Sequence, residues 1–81
     1  MVTVTINQNE VGRTTSIQRE FKSHRNAFMA AHNAARYFWI DHSEKKFPTD
    51  ILVCNKWHFE PSAGVTMDVV FEPDLNLSEM Q

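Results

Sequence analysis

Residues 2 to 6 read VTVTI, with Val2, Val4 and Ile6 alternating with Thr3 and Thr5. A period of two in β-branched residues is the pattern of a strand with one face buried. NQNEVGR at 7 to 13 is polar and carries Asn9 and Gly12, which tolerate the positive φ of hairpin loops, so it predicts a turn. TTSIQREF at 14 to 21 resumes the alternation through Thr15, Ile17, Arg19 and Phe21. Its thinner apolar content predicts a strand at a sheet edge, antiparallel to the first.

The period then changes to that of a helix. Ser23 stands where an N-cap is expected, its side-chain oxygen placed to accept from the backbone N–H of Arg25 or Asn26. At 100° per residue, Ala27, Phe28, Ala31, Ala34, Ala35, Phe38 and Trp39 share one broad arc. Arg25, Asn26, Met29, Asn33, Arg36 and Ile40 share the opposite one. Small residues in the middle of the apolar arc let a helix axis approach a sheet closely, while the large rings fill the space above and below.

DHSEKKFPTD at 41 to 50 is charged, and Pro48 restricts Phe47 to extended conformations, which predicts a loop. ILVCNKWHF at 51 to 59 is apolar and rich in β-branched and aromatic types, and is expected to be the central strand. EPSAG at 60 to 64 is turn chemistry, and VTMDVVFE at 65 to 72 alternates Val65, Met67, Val69 and Phe71 with Thr66, Asp68, Val70 and Glu72. The expectation is an α+β, two-layer β-β-α-β-β domain: a four-stranded sheet with one helix packed on one face. It would span residues 1 to 74, with 75 to 81 a flexible polar tail.

Length and composition agree with this reading. The chain has 81 residues, 42% hydrophobic and 22% charged, with two glycines and three prolines, which suits one ordered small domain. One cysteine, Cys54, excludes an internal disulfide and reads as a buried small hydrophobe in a reducing compartment. The N-terminus has no signal-peptide pattern and no apolar run approaches the roughly 18 residues of a membrane span, so a soluble, cytosolic protein without membrane contact is expected. Eight Lys and Arg against ten Asp and Glu leave a formal charge of −2, which argues against direct nucleic-acid binding as the default.

Candidate chemistry is thin. His24, His32 and His42 form no i, i+3 or i, i+4 pair, and no Cys-x-x-Cys or His-x-x-x-His occurs, so no metal or other cofactor is expected. Nucleophilic catalysis would require Cys54 or a serine beside a histidine and an acid, and His58, Asp50 and Asp68 could meet only across adjacent strands. No glycine-rich elbow, phosphate loop or paired-carboxylate motif is present, and no catalytic residue is assigned. Trp57, His58 and Phe59 beside Lys56 admit two readings, a stacking platform for single-stranded nucleic acid or core anchors at a strand end.

Two surfaces remain for a protein partner. If each strand's apolar set faces the helix, the uncovered face carries Thr3, Thr5, Ser16, Gln18, Glu20, Thr66, Asp68, Val70 and Glu72. It is acidic and hydroxyl-rich, suited to a basic partner or to the same face of a second copy. Glu20, Asp68 and Glu72 are its candidate contacts. The outer helix arc offers Arg25, Met29, Arg36 and Tyr37, residue types that interfaces favour.

Taken together, VTVTI, TTSIQREF, the alanine-rich AFMAAHNAARYF, DILVCNK and VTMDVVFE form an architecture that resembles small phage-encoded inhibitors such as anti-CRISPR proteins. The resemblance spans residues 2 to 72 and lies in the architecture, with no diagnostic motif. It implies a compact non-enzymatic protein that occupies a surface of a host nucleic-acid-handling defence complex. A small nucleic-acid-binding regulator and a small enzyme are the alternatives.

Overall fold

The computed structural model describes residues 1–53 and 55–73. Four strands and one helix follow in the order β1 (Val2–Glu10), β2 (Arg13–Phe21), α1 (His24–His42), β3 (Lys56–Ser62) and β4 (Val65–Glu72), with a 3-10 turn at Asp50–Val53. All strands join one antiparallel sheet in the order β2-β1-β4-β3. This is a small α+β fold, as the hydrophobic periods predict. Cys54 and the tail beyond residue 74 lie outside the described residues.

The first hairpin is longer than expected. The region predicted as a turn, 7 to 13, is mostly strand: β1 runs unbroken to Glu10 and the turn is only Val11–Gly12. Gly12 supplies the φ of +76° that this tight reversal needs. Asn7 and Asn9 sit on the open sheet face, where polar residues need no core. There Asn9 Nδ2 donates to Thr66 Oγ1 at 3.3 Å, and Thr14 Oγ1 donates to Asn9 Oδ1 at 2.9 Å. Cross-strand bonds of this kind let asparagines extend a strand that propensity would end.

The expectation of a central strand at 51 to 59 is corrected. Ile51 and Leu52 belong to the 3-10 turn, closed by the Leu52 N–H donating to the Thr49 carbonyl at 3.2 Å, and the strand begins only at Lys56. β3 then lies at the edge, and β1 and β4 hold the centre. The apolar run plugs the core with Leu52 instead of extending the sheet. Likewise the turn expected at 60 to 64 contracts to Ala63–Gly64, because β3 passes through Pro61 with a register irregularity between Phe59 and Ser62.

The helix starts where its cap predicts. Ser23 Oγ accepts from the Asn26 N–H at 3.2 Å, and the helix closes with the Ser43 N–H donating to the Trp39 carbonyl at 2.8 Å. Ala27, Ala31, Ala35 and Phe38 are buried against the sheet, while Phe28, Ala34 and Trp39 are partly buried at the flanks. With Ala31 fully excluded from solvent, Ala31→Leu is expected to overpack the helix–sheet contact and cost roughly 1 to 3 kcal/mol. A urea melt measures this directly, and an unchanged midpoint would contradict the packing described.

The core lies between α1 and the alternate residues Val2, Val4, Trp57, Phe59, Val65, Met67, Val69 and Phe71. Rings dominate its β3 side. Trp57 meets Phe71 at 5.0 Å and Phe28 at 5.7 Å between ring centroids, both edge to face. Phe47 swings in from the loop after the helix and stacks on Phe59 at 5.3 Å. Trp39 Nε1 fixes that loop by donating to the Lys45 carbonyl at 2.8 Å.

Candidate functional site

The open sheet face is built by register. Thr3 stands opposite Glu20 on one side and Glu72 on the other; Thr5 opposite Gln18 and Val70; Asn7 opposite Ser16 and Asp68; and Asp68 in turn opposite His58. The residues expected on this face therefore do share it, joined by Asn7 and Asn9. Glu20 and Glu72 flank Thr3 in one row and present carboxylates outward.

Asp68 is not a free carboxylate. Its Oδ1 lies 2.6 Å from His58 Nδ1, both side chains partly exposed. The pairing of a histidine with an acid across strands, conceivable from sequence, is thus realised. Along the same row the next residues are Asn7 and Ser16, and Ser16 is three strands from His58. With neighbouring strands about 4.8 Å apart, that hydroxyl is far outside hydrogen-bond reach of the imidazole. Asp50 sits in the 3-10 turn and not on this face.

The proposed stacking platform is resolved by burial. Trp57 and Phe59 are 1% and 2% exposed, so they are core anchors, and only His58 of the three faces solvent. This follows from strand parity: once the strand starts at Lys56, alternate residues must point inward.

The other histidines serve local contacts. His42 Nε2 lies 3.3 Å from Glu10 Oε1, tying the end of α1 to the tip of the first hairpin, and its ring meets Phe38 at 4.8 Å. His32 sits between the rings of Phe28 and Phe47 at 5.6 and 5.7 Å. Among the described residues no group of three or more His, Cys, Asp and Glu could hold a metal ion.

Burial, and secondarily the Arg36 guanidinium, hold the His32 imidazole below its ordinary pKa of 6.5. The unfolded chain then binds the proton more readily than the folded one. The stability that neutral His32 supplies is complete above about pH 6.5 and declines as the pH falls through that value toward the lowered folded one. His32→Gln should flatten this part of the stability-versus-pH curve between pH 7 and 5, and urea midpoints following the wild-type dependence would contradict it.

The outer helix arc carries Met29, Tyr37 and Ile40, 46%, 72% and 63% exposed, among exposed Arg25 and Arg36. Asn33, Arg36, Tyr37 and Ile40 border a shallow depression there. No helix is long and apolar enough to cross a membrane.

No family model, curated protein or solved structure matches the chain.

The geometry therefore offers surfaces. Among the described residues the core contains no buried polar or charged side chain and no buried side-chain N or O atom without a partner. Sequence reasoning missed Asn7 and Asn9 as face residues because it ended β1 early. The His58–Asp68 contact was legible only as a possibility, since strand pairing had to be known first.

Proposed function

We propose that this chain is a small non-catalytic binding module that acts by stoichiometric contact with a protein partner. The observation that carries the reading is the placement of its polar chemistry. The described core is wholly apolar, while Glu20, Asp68 and Glu72 share one open sheet face and Arg25, Met29, Arg36 and Tyr37 share one exposed helix arc. Flat or convex surfaces of this kind suit protein contact better than enclosure of a small substrate.

Of the two surfaces we assign partner contact to the sheet face. Its carboxylates suit a basic groove, and attraction over a Debye length of roughly 10 Å would speed encounter at low salt. The resemblance to small phage-encoded inhibitors such as anti-CRISPR proteins extends the proposal: the partner is a nucleic-acid-handling host defence complex in the cytoplasm, inhibited by occupation of such a groove.

A nucleic-acid-binding regulator is the competing reading, and the burial of Trp57 and Phe59 removes its stacking surface. Titration with generic duplex DNA and with single-stranded RNA at several salt concentrations separates the two. The account predicts no appreciable binding at physiological salt. Tight binding that weakens steeply as salt rises would favour the regulator.

A further inference from the structure

The two flanks of α1 are finished differently. Toward β3, the loop after the helix brings Phe47 over Phe59 and Trp39, at 5.3 and 6.2 Å. Toward β2, no described segment covers the sheet. A groove of about 140 Å³ runs there between Ala30 and Ala34 of the helix and Ile17, Arg19 and Phe21 of β2, floored by Ile6. Ile17 is 39% exposed although it occupies a helix-facing position.

The two sheet edges differ in the same sense. β3 is seven residues long, contains Pro61 and breaks register near it, devices that discourage pairing with another strand. β2 is nine residues long, free of proline and in unbroken register with β1 from Phe21 to Arg13. Its outer edge has no strand neighbour among the described residues. It carries Arg13 and Arg19 at helix-facing positions, both exposed and neither in an ion pair among the described residues. Cations on an edge keep unwanted strands away, and they also select a strand that brings carboxylates.

We infer that the β2 edge and its groove form a binding site for an extended acidic segment of a partner protein, which adds antiparallel to β2 as a fifth strand. Backbone pairing supplies general affinity, and the helix-facing row sets the sequence read. Aliphatic side chains of the added strand lie opposite Ile17 and Phe21, and carboxylates lie opposite Arg19 and Arg13. A second copy of β2 is a poorer occupant. Centring its antiparallel pairing on Ile17 sets Arg19 opposite Thr15 and Arg13 opposite Phe21, which leaves every cation unmatched. The inference is independent of the sheet-face reading, because this row points to the opposite side of the sheet.

A dye-labelled nine-residue peptide with valine at positions one and five, glutamate at three and nine and threonine elsewhere is the probe, read by fluorescence anisotropy. Saturable binding is expected, weakened about tenfold or more when both glutamates become lysine, and abolished when its edge-facing amides are N-methylated. Arg19→Glu should lose the acidic peptide and gain the lysine peptide, with an unchanged circular dichroism spectrum showing that the fold is kept. No saturable binding, equal binding of the acidic and lysine peptides, or indifference to Arg19→Glu would overturn the inference. So would concentration-dependent dimerisation in sedimentation that Ile17→Lys abolishes and the peptide does not compete with, since a second copy would then own the edge. Failure of the peptide leaves the sheet-face proposal standing, as reversal of Glu20 and Glu72 is a separate test.

Discussion

Trp57→Ala is expected to remove about 3 to 5 kcal/mol of stability, the largest loss available to a single substitution in this fold. The ring is 1% exposed and meets Phe28, Phe71 and Phe59 within 6.2 Å, so its loss strips edge-to-face contacts from α1, β4 and its own strand at once. β3 is an edge strand with a register irregularity, paired on one side only, and its inward rings are what hold it to the rest. A domain of this size has a total stability of only a few to about ten kcal/mol. The urea midpoint, followed by circular dichroism, should therefore fall to a small fraction of the wild-type value. A loss below about 1 kcal/mol would mean that the core is not centred where the structure places it.

The second large effect concerns binding. Reversing Glu20 and Glu72 to lysine turns the row through Thr3 from acidic to basic. Association with the partner is expected to slow about tenfold or more at low salt, with the difference shrinking as salt is raised. Stability should move by about 0.5 kcal/mol or less, because both side chains are exposed. Asp68 is a poorer choice for reversal, since a lysine there would lose the contact to His58 and stand near Lys56. Arg25→Glu with Arg36→Glu is the matched change on the helix arc. Stopped-flow association rates compare the two, and loss of binding only with the helix pair would move the site to that arc.

Much of the fold was legible from periodicity because each buried face is regular. Val65, Met67, Val69 and Phe71 alternate without interruption, and Ala27, Ala31, Ala35 and Phe38 return at helical spacing behind a serine cap. What failed had a common cause, tertiary context overriding local composition. Asn7 and Asn9 look like turn residues, yet Asn9 is held in a strand by Thr14 and Thr66, which come from β2 and β4. Ile51 and Leu52 look like strand residues, yet the chain needs a tight turn there before β3 can begin.

The surfaces were half legible. Once strand parity is known, Glu20, Asp68 and Glu72 must share a face, and the alternation gave that. Strand order was needed to see that Asp68 meets His58 and that β2 ends the sheet with its arginines unpaired. The groove beside Ala30 and Ala34 was hidden for a related reason: alanines on a helix flank read as close packing until the structure shows a strand beyond the helix's cover.

The central claim is stoichiometric contact with a protein, and affinity capture from nuclease-treated host lysate tests it most directly. Wild-type protein, the Glu20→Lys/Glu72→Lys form and the Arg25→Glu/Arg36→Glu form serve as parallel baits. The account predicts that the wild type and the helix-arc form retain the same protein in near-equimolar amount after nuclease treatment, and that the sheet-face form loses it. Recovery of no protein by the wild type, or of a complex that nuclease disperses, would contradict it.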